Sequence, residues 1–360
     1  MSNMPSREPR RPAVSRRAFN MAALSGVTAV AVGRNAAHAA QDSTPAPGAS
    51  PVTTGTLTMY SGRNEALVGG LLDQITEATG VTLDVRYGNT AELAAQILEE
   101  GENTPADLFL SQDAGALGAL AKAGRLAELP EELLEEVDPL FRDEEGYWVG
   151  LSGRARVLVY QPDLVEESEL PESILDLPGS GIGPIGIAPT NASFQTFVTA
   201  LRLTEGEDAA RAWLEELMAS DVVIFDGNGA IVDAVANGEI AVGLVNHYYL
   251  YEKRTENPDL TAENYYFTNG DIGGLINVAG IGVLANSDQQ AAALEVVRYL
   301  LSEEAQTYFA EQTFEYPLAS GVTPSADLPP LDEYEVPDVN LNDLDDLEGT
   351  LELLTELGMI

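Results

Sequence analysis

The stretch that organises the chain is NGEIAVGLVNHYYLY, residues 237–251. Residues 240–245 form a short apolar run after an Asn-Gly turn signal, which predicts a buried strand. Asn246 is of the residue type that caps a following helix. Tyr248 and Tyr249 are therefore expected just beyond the carboxyl end of a strand, where open α/β sheets bind their ligands.

Two adjacent phenol groups at such a position indicate a site for a hard, highly charged cation. An unperturbed tyrosine has a pKa of about 10, so a strong local positive charge such as Fe³⁺ is needed to ionise both groups at neutral pH. A tyrosine pair is also a common half-buried packing element. The pair alone leaves both interpretations open.

Composition excludes several classes of protein. The chain has 360 residues, of which 45% are hydrophobic, and this is enough for two medium-sized cores. It has no cysteine, which excludes disulfides, thiolate metal sites and cysteine nucleophiles. Its net charge of −40 opposes binding to nucleic acid and to anionic membranes, so neither is expected as a partner.

Residues 1–40 have the features of an export signal. A twin-arginine pattern at 15–19 is followed by a modestly apolar run at 21–32 and a small-residue cleavage motif at 37–39. The apolar run is too short to span a bilayer. Residues 41–55 are rich in Ser, Thr, Pro, Gly and Ala, which is typical of a flexible linker. The mature protein is therefore expected to be periplasmic or on the outer cell surface.

Alternating strand and helix patterns begin near residue 56 and predict an α/β fold with parallel sheets. Residues 147–160 form a longer β-type run with interior glycines, which suits a strand that crosses between two lobes. The apolar residues 275–285 supply a return crossing. The other strands are predicted at 56–61, 81–87, 106–111, 184–188, 222–225 and 240–245.

The two crossings divide the chain into two lobes and a tail. Lobe 1 is predicted to comprise residues 56–150 and 277–320, and lobe 2 residues 151–276. Residues 321–360 are predicted to form an acidic, proline-rich linker and a terminal helix at 342–357 that packs on lobe 2.

Several motifs together resemble those of one family. The chain is similar to the periplasmic ferric-ion-binding proteins, the solute-binding components of iron ABC transporters, over nearly all of residues 56–320. The motifs occur in the family's order and are YSGR (60–63), PADLF (105–109), LSGRARV (151–157), NGEI (237–240), NHYY (246–249) and EYPL (315–318). The resemblance implies a type II periplasmic binding protein, with two Rossmann-like lobes joined by crossing hinge strands. It also implies a non-enzymatic, monomeric protein that captures Fe³⁺ with a synergistic anion and delivers it to an inner-membrane permease.

The resemblance also implies the ligands of the metal and of its anion. Tyr248 and Tyr249 match the metal-binding tyrosine pair. Members that use a phosphate-type anion bind it with residues that match Asn191, Ala192, Ser193, Asn228 and Asn246. Other members hold carbonate with an arginine, for which Arg63 and Arg154 are the candidates.

In the first lobe the chain departs from the family pattern. Asn64 stands where some members place a histidine ligand, and Glu65 where others have a tyrosine. Gln112 stands where some members have a glutamate ligand, with Asp113 beside it. The candidate metal ligands of this lobe are therefore Glu65, Gln112 and Asp113. His247 is interpreted as a packing or capping residue.

Two alternatives remain open at this stage. The same scaffold could bind an organic or phosphorus-containing anion through Asn191, Ser193, Asn228 and Arg154, with the tyrosines as walls of the cleft. An exported hydrolase could instead use a carboxylate pair such as Glu65 and Asp113. Carboxylates are abundant in this chain, so such a pair is weak support.

Arg156 is interpreted as a structural residue.

Overall fold

A computed structural model describes residues 55–325, 328–331 and 335–360. The predicted signal peptide and residues 41–54 of the predicted linker lie outside these ranges. Within them, no helix combines the length and the apolar character needed to cross a membrane.

The described residues alternate between strands and helices, as the sequence patterns predict. The strands are β1 (Thr56–Ser61), β2 (Thr82–Tyr87), β3 (Leu108–Ser111), β4 (Val149–Tyr160), β5 (Ile185–Ile187), β6 (Val222–Ile224), β7 (Val242–Asn246), β8 (Glu263–Tyr265), β9 (Ile276–Val283) and β10 (Tyr316–Pro317). The helices are α1 (Glu65–Thr79), α2 (Thr90–Glu100), α3 (Ala114–Lys122), α4 (Glu131–Leu134), α5 (Ala192–Glu205), α6 (Glu207–Ala219), α7 (Asn228–Ala236), α8 (Tyr248–Glu256), α9 (Gln290–Leu300), α10 (Glu303–Gln312) and α11 (Leu347–Glu356).

The polar residues that follow the first three strands cap the helices that come next. Asn64 Oδ1 accepts a hydrogen bond from Leu67 N at 2.9 Å, and Asn89 Oδ1 accepts one from Ala91 N at 2.9 Å. Asp113 caps α3 in the same way. Such caps satisfy backbone N–H groups that have no partner within the helix. These residues therefore stabilise helix starts at the sheet edge where the sequence predicts the ligand site.

Strand β4 is shared by the two parts of the sheet, whose strand order is β2-β1-β3-β9-β4-β7-β5-β6. Its first residues, 149–155, pair with β9 in antiparallel fashion, and residues 156–160 pair with β7. All twelve residues of β4 are buried. The crossing strand predicted at 147–160 is thus confirmed, with interior glycines that allow close packing: a Cβ at Gly153 would lie 3.1 Å from Ile276 Cγ2.

The C-terminal tail contacts both predicted lobes. A turn at Leu341–Asp343 lies on α3, and Asn342 Oδ1 accepts a hydrogen bond from Trp148 Nε1 at 2.7 Å. Helix α11 packs on α5, where the hydroxyls of Thr199 and Thr350 are 2.7 Å apart in the interior. The tail therefore has a contact on lobe 1 as well as the predicted one on lobe 2. The domain boundaries themselves stay predictions.

Two local predictions were wrong. Asn246 does not cap a helix, because it is the last residue of β7, and α8 begins at Tyr248 after a residue that makes no side-chain cap. The terminal helix begins at Leu347 and not at residue 342, because the preceding residues form the separate turn that docks on α3.

Gly118→Ala tests the docking of the tail on α3. A Cβ at this position would lie 2.7 Å from the backbone oxygen of Asn342 and 3.0 Å from its Cα, so the tail would have to shift. We expect a loss of about 1–3 kcal/mol in the free energy of unfolding, as for other overpacked contacts. Chemical denaturation of the purified protein measures this loss.

Gly69→Ala is the matched control, since it also lies inside a helix but its Cβ would meet only Glu65 Cγ at 3.4 Å. Replacing a mid-helix glycine by alanine where there is room stabilises by about 0.5–1 kcal/mol. Equal free energies of unfolding for the two variants would contradict close packing of the tail against α3.

Candidate metal centre

The tyrosine pair opens helix α8, directly beyond the end of β7. Tyr248 is buried and Tyr249 half-buried, and their rings stack with centroids 4.3 Å apart and planes inclined by 26°. Burial, together with the neighbouring Tyr249, raises the pKa of Tyr248 well above its usual value, although the charge of Arg154 opposes this. Tyr248 is therefore a neutral phenol until a further positive charge approaches.

A buried ion pair lies close enough to the tyrosines to interact with them electrostatically. Arg63 Nη1 and Nη2 each donate to a different oxygen of Glu315 at 2.8 Å, and the Ser152 hydroxyl donates to Glu315 at 2.9 Å. Burial raises the pKa of Glu315, but the charges of Arg63 and Arg154 outweigh it, and the pKa lies below its usual value. Glu315 is thus an anion that occupies the Nη1–Nη2 edge of the Arg63 guanidinium.

Arg154 is also buried, but its hydrogen bonding is incomplete. Its Nη2 donates to the backbone oxygen of Gln112. Its Nε makes no hydrogen bond and lies 3.9 Å from Glu315 Oε1. Burial and the like charge of Arg63 lower the pKa of Arg154, while Glu315 and Tyr248 act in the opposite direction. A phenolate at Tyr248 would therefore be stabilised by this guanidinium.

A second cluster lies at the start of helix α5 and is centred on Ser193. The Ser193 hydroxyl donates to Asn191 Oδ1 at 2.6 Å, so its lone pairs are free to accept. They accept from Arg156 Nη1 at 3.2 Å and from Asn228 Nδ2 at 3.1 Å, and Arg156 Nη1 also lies 3.5 Å from Asn246 Oδ1. Asn191, Ser193, Asn228 and Asn246 are thus brought together, and Arg156 joins them.

Two buried atoms of this cluster have no hydrogen-bond partner, namely Arg156 Nη2 and Asn228 Oδ1. The direction of the Ser193 hydroxyl fixes the Asn228 amide with its nitrogen toward Ser193, which leaves the oxygen unpaired. Burial lowers the pKa of Arg156 to about 9, against the effect of Tyr249. Buried polar atoms are normally paired, so the cluster is suited to a ligand that offers both an acceptor and a donor.

The charges of the two groups of residues, Arg63, Arg154 and Glu315 on one side and the cluster around Ser193 on the other, do not cancel. The buried charged groups named above are the guanidiniums of Arg63, Arg154 and Arg156 and the carboxylate of Glu315, whose charges sum to 3 − 1 = +2. The half-buried Asp113 adds one negative charge near Arg154, and a positive surplus is left. Burying charge without a partner is costly. The region around the tyrosine pair therefore favours phenolates and small anions.

The first-lobe candidates have other roles in the structure. Glu65 is exposed in the first turn of α1, and its charge adds to burial in raising the pKa of Tyr87. Gln112 offers its backbone oxygen to Arg154, and Asp113 Oδ1 accepts from Ala116 N at 3.0 Å. Across the described ranges, no three His, Cys, Asp or Glu side chains form a metal-binding group. Glu65, Gln112 and Asp113 stay predictions.

Sequence reasoning missed two residues of the region and only partly described a third. Glu315 was quoted as part of a motif, but its pairing with Arg63 was not predicted. The interpretation of Arg156 as structural missed its place beside Ser193. His247 accepts from Ala155 N through Nδ1 at 3.0 Å and contacts Phe314 O through Nε2 at 2.8 Å, so both ring nitrogens are occupied. It packs as expected but does not cap α8 through its side chain.

The sequence and the fold are similar to those of known proteins. A model of the bacterial extracellular solute-binding proteins matches residues 63–307. An Fe(3+)-binding periplasmic protein of Serratia marcescens is 32% identical over 309 residues, which cover 84% of this chain and 90% of that protein. The structure of iron-bound HitA from Pseudomonas aeruginosa has 35% identity and a TM-score of 0.78 over 84% of this chain and 99% of the other. That of Trichodesmium IdiA (FutA) with iron and citrate has 29% identity and a TM-score of 0.74, with coverage of 84% and 99%.

The chain therefore belongs to the bacterial extracellular solute-binding proteins, a family of extracytoplasmic transport components. Within that family it belongs with the periplasmic ferric-iron-binding proteins of ABC transporters. The predicted α/β fold with two lobes joined by crossing strands, that of type II periplasmic binding proteins, is confirmed.

Glu315→Gln tests the dependence of the fold on the buried pair. The amide would place a donor against Arg63 Nη1 or Nη2 and leave the guanidinium uncompensated. Removing one partner of a buried pair costs about 3–5 kcal/mol of unfolding free energy. Arg298→Gln is the control, since its pair with Glu132 is exposed and worth about 0–1 kcal/mol. Similar losses in the two variants, measured by chemical denaturation, would contradict a stabilising role for the buried pair.

Proposed function

We propose that this protein binds Fe³⁺ outside the cytoplasm through the phenolates of Tyr248 and Tyr249 and delivers it to an inner-membrane ABC permease. The observation that carries the proposal is the stacked phenol pair at a helix start beside buried, incompletely paired guanidiniums. The names of the relatives support the choice of metal, because they describe ferric-ion-binding proteins.

The chemistry of the site favours a trivalent cation. Phenolate oxygens are hard ligands, and Fe³⁺ supplies the charge needed to remove the Tyr248 proton, whose loss burial has made harder. Arg154 assists by stabilising the Tyr248 phenolate electrostatically. The surplus of buried positive charge calls for an additional anion, which also fills metal coordination sites that protein side chains leave open.

We assign the synergistic anion to the cluster around Ser193. Arg156 Nη2 donates to it, as does the backbone N–H of Ala192, since those of Ser193, Phe194 and Gln195 are already bonded to Asn191. The unpaired Asn228 Oδ1 accepts from a protonated oxygen. Carbonate and phosphate both fit this description. Arg63 is less suited than Arg156, because Glu315 already takes two of its donors.

The remaining ligands and the route of export complete the proposal. One of Glu65, Gln112 and Asp113 adds a first-lobe oxygen ligand when the lobes close. The protein is exported by the twin-arginine route and acts as a monomer.

A ferric titration of the metal-free mature protein tests the metal site. Iron is added from a chelate with bicarbonate or phosphate present, and visible absorbance is recorded. We expect a phenolate-to-iron absorption band that saturates at one equivalent and is absent from the Tyr248→Phe/Tyr249→Phe variant. Tyr299→Phe is the control, because it removes the hydroxyl of another buried tyrosine, which donates to Gln74 Oε1 at 3.2 Å, away from the pair.

A wild-type protein without the band, with either anion supplied, would contradict the proposal. The second candidate function, binding of an organic or phosphorus-containing anion, would then be favoured by the unpaired Arg156 Nη2 and Asn228 Oδ1. Thermal stabilisation by such an anion in the absence of iron would support it.

Arg156→Gln tests the anion assignment. The substitution removes the only charge of the cluster around Ser193 among its named members. Hydrogen bonds to charged groups contribute about 1.5–3 kcal/mol, so we expect ferric affinity at a fixed anion concentration to fall about tenfold or more. Raising the bicarbonate or phosphate concentration should restore binding in part. Arg202→Gln, which breaks ion pairs with Glu207 and Asp346, serves as control, and equal affinities in the two variants would contradict the assignment.

A further inference from the structure

The imidazole of His247 continues the hydrogen-bond ladder between β4 and β7 beyond the point where β7 ends. The last backbone pair of this ladder joins Arg156 and Asn246. At the next step, His247 N donates to Ala155 O at 3.0 Å, and Ala155 N donates to His247 Nδ1 at 3.0 Å. The ring therefore accepts the bond that a backbone carbonyl would accept in a continuing strand, and the backbone is free to enter α8.

The other ring nitrogen ties this junction to a distant part of the chain. Because Nδ1 accepts from Ala155 N–H, the ring proton lies on Nε2, which donates to Phe314 O at 2.8 Å. Phe314 has a left-handed backbone with φ of 54°, and it precedes Glu315, the partner of Arg63. One imidazole thus joins the crossing strand, the start of α8 and the segment that carries the buried carboxylate.

The orientation of the ring is fixed from several sides. His247 is fully buried, and its ring centroid lies 5.0 Å from that of Tyr316 and 6.0 Å from that of Tyr248. Since Nδ1 faces a backbone N–H and Nε2 a backbone oxygen, a single neutral tautomer makes both bonds together.

We propose that His247 is a positioning residue for the tyrosine pair: by bonding to Ala155 and Phe314 it sets where α8 begins and so where Tyr248 and Tyr249 present their oxygens. The proposal rests on the proposed iron site but does not make His247 a ligand, since both of its ring nitrogens are used. It gives the imidazole a task that a packing residue does not have, because its effect reaches the metal through the adjacent backbone.

Three substitutions separate the two bonds of the ring. His247→Phe keeps an aromatic ring and removes both bonds. His247→Asn places an amide oxygen near the position of Nδ1 and can keep the bond from Ala155 N. His247→Gln places an amide nitrogen near the position of Nε2 and can keep the bond to Phe314 O.

The variants are compared in the ferric titration of the full mature protein. We expect His247→Phe to bind iron at least tenfold more weakly and to shift the wavelength of the phenolate-to-iron band, because the oxygens are no longer held in one arrangement. The Asn and Gln variants should recover part of the affinity and move the band back toward the wild-type wavelength. Circular dichroism of each metal-free variant checks that it is folded.

Trp213→Phe is the matched control. It also removes a buried ring N–H that donates to a backbone oxygen, that of Ile174 at 3.0 Å, but in helix α6. We expect a lower melting temperature with unchanged band wavelength and ferric affinity. A folded His247→Phe variant with wild-type wavelength and affinity would overturn the positioning role. If that variant does not fold, wild-type wavelength and affinity in both the Asn and the Gln variant would overturn it. Absence of the band from the wild-type protein would instead refute the iron site itself, so the two failures are distinguishable.

Discussion

Strand β4 hydrogen-bonds to both parts of the sheet, and its register fixes the position of the charged groups at the centre of the molecule. Because side chains alternate along a strand, Ser152, Arg154 and Arg156 share one face. Ser152 and Arg154 approach Glu315, and Arg156 approaches Ser193. A shift of β4 by one residue would turn all three away from the site.

The buried charges around this strand lower the stability of the unliganded fold and favour binding of anionic ligands. Glu315 pairs with Arg63, and Glu315 and Asp113 both act on Arg154, but within the described ranges Arg156 has no ion pair with a carboxylate. An uncompensated buried cation destabilises a folded protein. A protein whose core served stability alone would pair or replace Arg156, whose Nη2 has no partner. The surplus charge instead becomes favourable when phenolates and an anion are present, so binding relieves a cost that the unliganded structure carries.

The sequence predicted local features better than contacts between distant residues. Alternating strand and helix patterns predicted the element order, and the two-lobed fold came with the family motifs. Arg156 was missed, although the period of two in Ser152-x-Arg154-x-Arg156 placed it on the face of Arg154. The Arg63–Glu315 pair spans 252 residues, and no local pattern encodes such a contact. The contact of the tail with α3 depends on close packing at Gly118, which only the tertiary structure reveals.

The distribution of the groups between the lobes argues for an order of events. On the proposed function, the tyrosine pair and the cluster around Ser193 both belong to predicted lobe 2, so the metal and its anion can assemble there first. The segment at Phe314 and Glu315 joins this lobe to Arg63 through His247 and the ion pair, and it keeps that side of the site fixed. On this proposal, the side chains left to approach the metal are exposed or half-exposed ones, such as those of Glu65 and Gln112. Closure would add a ligand to a nearly complete site, and opening would remove only that ligand.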